Sequence, residues 1–181
     1  RVLKAEPSAD TARVIVLGEA DAMYCSEPEQ ALLVMTADCA AVSLFCTHSR
    51  VFGIAHSGWR STALDVTARL AEAMASEGAR AKDMHATLAP CISGDVYEVG
   101  SEVAEAVRAT CGSDEPLEKI AEGKYLLSLP RAIRIQLLRS GVSEERIEMP
   151  RGCTFRDESD FFSWRRSKAK ERMVTVAART E

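Results

Sequence analysis

No apolar run in the 181-residue sequence approaches the roughly 18 residues needed to cross a bilayer. No signal-peptide pattern is visible either, so a cytoplasmic protein with no membrane partner is expected. Positive charge is not in excess. Lys and Arg number 23 against 27 Asp and Glu, and the net charge of −4 argues against a nucleic-acid partner. None of the six cysteines stands in a C-x-x-C pair, and their gaps are long and irregular, which excludes a compact disulfide-stapled module and points to reduced thiols. Internal repeats, low-complexity tracts and linkers are missing too, so residues 1–181 read as one domain with enough chain for a real core. The chain opens on Arg1-Val2-Leu3, which reads as the middle of a segment, so an N-terminal portion is expected to be lacking.

What is present centres on two stretches, Thr36-Ala37-Asp38-Cys39 and Ala55-His56-Ser57-Gly58-Trp59-Arg60. Residues 31–35, 40–46 and 51–55 read as three successive strands with short connections. As sheet neighbours they would bring Cys39 and His56 together. A thiol beside an imidazole can hold zinc, or act as a nucleophile with its base. The same two residues in apolar strands can also be plain core. Gly58 allows close backbone approach there.

Strands are expected at 1–5, 12–17, 84–89, 146–149 and 173–177, and a turn at 6–10. The periodicity of Ala63, Val66, Leu70, Ala73 and Met74 predicts a helix over 61–77, capped by Ser61 or Thr62 and stopped by Gly78. Its free N–H groups beside Arg60 would make an anion site. Further helices are expected at 101–110 and, capped by Ser128, at 129–140. Tyr97-Glu98-Val99-Gly100 reads as a structural turn, and His85 as structural.

Four blocks then carry a resemblance: the two above, Ala89-Pro90-Cys91-Ile92 with Tyr97-Glu98-Val99-Gly100, and Cys153-Thr154 with Phe161-Phe162-Ser163-Trp164-Arg165-Arg166. The sequence resembles the YfiH family, also called the laccase-domain or polyphenol-oxidase-like family. The resemblance implies a layered α/β fold, an α/β/β/α sandwich with mixed sheets. It implies a zinc site built from one Cys and two His, with Cys39 and His56 as two of the ligands. The third would be a His in a stretch preceding the block that begins here. The implied activity is phosphorolysis of purine nucleosides, with adenosine deamination as a companion reaction and nucleoside and phosphate as small-molecule partners. The laccase label fits poorly, because multicopper centres need many His ligands and this chain has three His.

Within that reading Asp38 would be an acceptor beside the thiolate or a proton carrier. Arg60, or Arg165 and Arg166, would meet phosphate, and Phe162 with Arg165 and Arg166 would wall the purine. The alternatives are a salt bridge for Arg60, and a hydrophobic anchor with a solvated Arg pair for the last block. Two rival functions stay open: a metal-free thiol hydrolase with Cys39 as nucleophile and His56 as base, and a non-catalytic binding module.

Overall fold

The computed structural model describes residues 1–6, 18–168 and 170–179. Strands β1 (Val2–Lys4), β2 (Ala22–Cys25), β3 (Ala31–Thr36), β4 (Ala40–Cys46) and β5 (Phe52–Ser57) open the chain. Helices α1 (Trp59–Ala63) and α2 (Val66–Ala75) follow, then β6 (Met84–Leu88), β7 (Glu98–Gly100), α3 (Ser101–Cys111), β8 (Leu117–Ala121) and β9 (Lys124–Leu127). Helix α4 (Leu129–Arg139), β10 (Ile147–Glu148), the single turn α5 (Trp164–Ser167) and β11 (Met173–Ala178) complete it. The strand expected at 12–17 and most of the turn at 6–10 lie outside the described residues.

A mixed six-stranded sheet, ordered β1-β2-β5-β4-β6-β10, forms the centre. Its outer pairs β1/β2 and β6/β10 are parallel and the inner pairs antiparallel. Alternation along β4 explains the layering. Val42, Leu44 and Cys46 join the core under the helices, while Ala41 enters a smaller second core with Leu32, Val34, Phe52 and Ile54. Leu44, Leu70 and Ile54 are each at most 1% exposed, and burial of each contributes about 1.5–3 kcal/mol.

The second core lies against a two-stranded antiparallel sheet of β3 and β11. The expected α/β/β/α order is therefore supplied from its helical layer through both sheets. The outer face of the small sheet is open, with Met35, Val174 and Val176 all more than half exposed. A third sheet, β7-β9-β8, packs beside α3. Sequence reading missed its hairpin because the charged Glu118, Lys119 and Glu122 mask the short strands around Gly123.

Two expectations are corrected. The three strands around Cys39 are not successive members of one sheet. Asp38 at φ +88° turns the chain out of β3, which pairs with β11, and into β4, which pairs with β5. The helix predicted over 61–77 is two helices, because Asp65 adopts the left-handed region (φ 60°, ψ 40°), which a short polar side chain tolerates, and Leu64 points to solvent. Ser61 and Thr62 do not cap. Ser61 Oγ donates to Asp21 Oδ1 (2.7 Å), and Thr62 Oγ1 pairs with Ser57 Oγ (2.8 Å). Gly78 does stop α2. At φ +84° its N–H donates to Ala75 O (3.0 Å) and that of Ala79 to Met74 O (3.2 Å), the paired bonds of a Schellman ending.

Candidate functional site

The register Ala41↔His56 and Ala40↔Ser57 places Cys39, one residue further back, opposite Gly58. His56 and Gly58 are two residues apart on one strand and so share a face. Cys39 and His56 are diagonal neighbours on that face, and Gly58 has no side chain to separate them. A Cβ added to Gly58 would stand 2.8 Å from Cys39 Sγ and 3.8 Å from His56 Cε1. The thiol and the imidazole therefore border one point, and both side chains are only partly buried.

On the other flank β4 pairs with β6, and the Ile92 N–H donates to Asp38 O at 2.9 Å, continuing that ladder. Cys39 thus stands level with Cys91, which in turn bridges Cys153. The ends of neighbouring segments bring Gly58, Cys39, Cys91 and Cys153 into one row.

Asp38 holds this corner. It is 8% exposed, and both carboxylate oxygens accept. Thr154 Oγ1 donates to Oδ1 (2.7 Å), and the Arg165 backbone N–H donates to Oδ2 (2.6 Å). A buried carboxylate with charge-assisted bonds on each oxygen acts as a clamp between β3/β4 and the last block. Arg165 continues the wall. Its guanidinium lies 4.8 Å from the Tyr97 ring centroid and donates to Glu98 O (3.0 Å).

Electrostatics separate the two central groups. Burial, then the Asp38 charge, pushes the Cys39 thiol up, against a pull from Arg172. Burial pulls His56 below its ordinary value, opposed by Asp21. Near neutral pH the pair is a thiol with a neutral imidazole. Burial and then Cys39 also push the Tyr97 phenol up, while Arg165 opposes.

The other expected contacts are distributed differently. The helix that begins beside Arg60, α1, has only five residues, and Arg60 lies over its own neighbour Trp59, 4.3 Å from the ring centroid. Arg166 is turned into its own loop. Nη1 donates to Thr154 O (2.7 Å) and Phe155 O (2.9 Å), and Nη2 to Phe161 O (2.9 Å). Its guanidinium orders the last block through these bonds. Phe162 is 47% exposed. Among the described residues no hydrogen bond, ion pair or ring contact joins Arg60, Phe162 or Arg166 to Cys39 or His56. His85 is structural as expected, with Nε2 2.7 Å from Arg146 Nη1.

Sequence reading did not single out Tyr97, Thr154, Asp21 or Arg172 for the site. The first two sit in the blocks that carried the resemblance. Arg172 stood in a basic run whose usual place is a solvated face. Two surface depressions, of about 250 and 360 Å³, lie by Gly94, Leu117 and Arg131 and by Asp65, Glu72 and Arg139, and Cys39 and His56 line neither.

The ion that a Cys and a His at this spacing recommend is zinc. One thiol and one neutral imidazole suit that ion, but a catalytic zinc site takes three protein ligands. Among the described residues no group of three or more His, Cys, Asp or Glu is placed to hold a metal. The described residues thus offer two fitting donors at this point. No helix of the described residues is long and apolar enough to cross a membrane.

Comparison with known proteins gives the family. The family model described as multi-copper polyphenol oxidoreductase laccase matches residues 1–180. A protein of Deinococcus radiodurans named purine nucleoside phosphorylase is 36% identical over 148 residues, 82% of this chain and 56% of that protein. One of Bacillus subtilis named purine nucleoside phosphorylase YlmD is 31% identical over 152 residues, 83% of this chain and 55% of that protein. The crystal structure of YlmD from Geobacillus stearothermophilus superposes with a TM-score of 0.91 at 28% identity, covering 100% of this chain and 70% of that one. That of a Bacillus licheniformis protein, YfiH, gives 0.82 at 32% identity, covering 86% and 60%. The chain spans a little over half the length of the first two relatives. With both the family model and the YlmD fold covering nearly every residue, the chain belongs to the YfiH-type laccase-like family.

Proposed function

We propose that this chain carries the metal-binding half of a zinc-dependent purine nucleoside phosphorylase, with adenosine deamination as a companion reaction. The observation that carries the reading is the shared point of Cys39 Sγ and His56 Cε1 beside Gly58. The names of the relatives support the substrate class, a purine nucleoside with phosphate.

Cys39 and His56 would hold the ion, with the remaining donor from outside the described residues. Zinc, when bound, supplies Lewis-acid activation of a water or a substrate oxygen. His56 offers a ready lone pair because burial keeps its ring neutral. Asp38 orients the corner that presents Cys39, through its bonds to Thr154 and Arg165. Arg165, stacked on Tyr97, offers a cation and a flat surface for phosphate or purine. Arg172, whose charge already acts on Cys39, adds a second cation.

A thiol hydrolase would use the same two residues, with Cys39 as nucleophile and His56 as base. The test is ribose 1-phosphate formation from adenosine and phosphate by the native protein, with bound zinc measured alongside. Turnover and zinc lost together in Cys39→Ala support the proposal. Turnover that survives in Cys39→Ala and His56→Ala removes it, and a non-catalytic module gives no turnover in any form.

A further inference from the structure

Beyond the Cys39/His56 point lies a second cluster of thiols that the proposed chemistry does not use. Cys91 and Cys153 are partners in an isolated parallel β-bridge. Adjacent strands run about 4.8 Å apart, inside the Cα separation of about 4.4–6.8 Å that a disulfide accepts. The two thiols have unlike surroundings. Cys91 is 1% exposed. Cys153, 6% exposed, faces two donors from one residue. The Ser93 N–H donates to Sγ at 3.4 Å and Ser93 Oγ at 3.0 Å.

Ser93 Oγ also lies 2.6 Å from Asp95 Oδ1. The single Ser93 hydroxyl proton is directed to Cys153 Sγ or to Asp95 Oδ1, and toward the sulfur it joins the Ser93 N–H in favouring the charged form. Cys46 has comparable donors but is 0% exposed.

We propose that Cys153 and Cys91 form a peroxide-responsive pair, with Cys153 as the attacking sulfur and Cys91 as the resolving thiol. Cys153 thiolate attacks one oxygen of hydrogen peroxide. The O–O bond breaks, hydroxide leaves, and the sulfur becomes a sulfenic acid, oxidised by two electrons. Cys91 sulfur then attacks that sulfur. The S–S bond forms, the S–O bond breaks, and the hydroxyl leaves as water with the Cys91 proton. The proposal does not depend on the metal reading.

The experiment treats the native protein, freed of reductant, with equimolar hydrogen peroxide, alkylates the remaining thiols, and digests it without reduction for mass spectrometry. The expected product is a peptide pair joined through Cys91 and Cys153. In Cys91→Ala a dimedone adduct should appear on Cys153 instead, and Ser93→Ala should slow the cross-link about fivefold to tenfold. The wild-type product needs no variant to fold. Oxidation that falls first on Cys39, or any dose that consumes other thiols while Cys91 and Cys153 both remain alkylatable, overturns the pair. So does a wild-type protein that loses no thiol.

Discussion

Thr154 Oγ1 donates to Asp38 Oδ1 at 2.7 Å across 116 residues of chain, and both residues are buried. The bond ties the corner that presents Cys39 to the last block, with the Arg165 N–H on the other carboxylate oxygen. Asp38→Ala leaves both donors without their acceptor. Each buried orphan costs about 1–3 kcal/mol, so urea unfolding should show a loss of roughly 2–5 kcal/mol. Asp38→Asn keeps one acceptor oxygen and should lose less. Equal losses for the two variants would show that the clamp is not what Asp38 contributes.

Gly58→Ala should act on the site more than on the fold. The new methyl would stand 2.8 Å from Cys39 Sγ, too close for either to stay. Overpacking of this kind costs about 1–3 kcal/mol. If the strain is taken up by moving Cys39, zinc affinity falls by roughly tenfold or more, read by competition with a chromophoric chelator. An unchanged affinity would place the metal elsewhere.

Stability should fall in alkali. The Cys91 thiol rises from its ordinary 9.0 to about 12 because burial disfavours its charged form. A raised folded value gives stability that is whole below the unfolded value and lost as pH climbs toward the folded one. Between pH 9 and 12 the unfolded chain releases a proton that the folded chain keeps, so stability drops by about 1.4 kcal/mol per pH unit from this group. Denaturant midpoints across that window should flatten in Cys91→Ala. An equally steep fall in the variant would assign the loss to other groups.

Gln136 is fully buried, accepting from Thr67 Oγ1 (2.7 Å) and donating to Thr62 O (2.6 Å) where α1, α2 and α4 meet. Gln136→Leu should destabilise by about 2–4 kcal/mol by orphaning both partners, with zinc content unchanged. A variant as stable as wild type would mean that these groups find other partners.

The middle of the central sheet was readable because β4, β5 and β6 are short apolar runs bounded by turn residues. The ends of α2 and α4 were readable because Gly78 and Gly141 supply positive φ where periodicity stops. The break at Asp65 was not, because apolar spacing runs through it and only the backbone shows the left-handed residue. Nor was the separation of β3 from β4, since an apolar run does not say which strand it will pair with. At the site, Cys39, His56 and Asp38 were visible in motifs. The surroundings of Arg60 and Arg166 were not legible, because a cation beside a motif looks alike in sequence whether it meets a ligand, an indole ring or three carbonyls.

Acidity of the pair gives a pH signature for metal binding. Cys39 is held protonated and His56 neutral, so loading releases one proton near neutrality. The logarithm of zinc affinity should rise by about one per pH unit from roughly pH 7 upward, up to the Cys39 value. A slope near two would mean that His56 is also protonated there.

The most direct measurement is zinc K-edge X-ray absorption on the native protein. The account predicts one sulfur ligand at about 2.3 Å with nitrogen ligands at about 2.0 Å, the sulfur vanishing in Cys39→Ala. Bound zinc with no sulfur neighbour, or a sulfur that survives in Cys39→Ala, would contradict it.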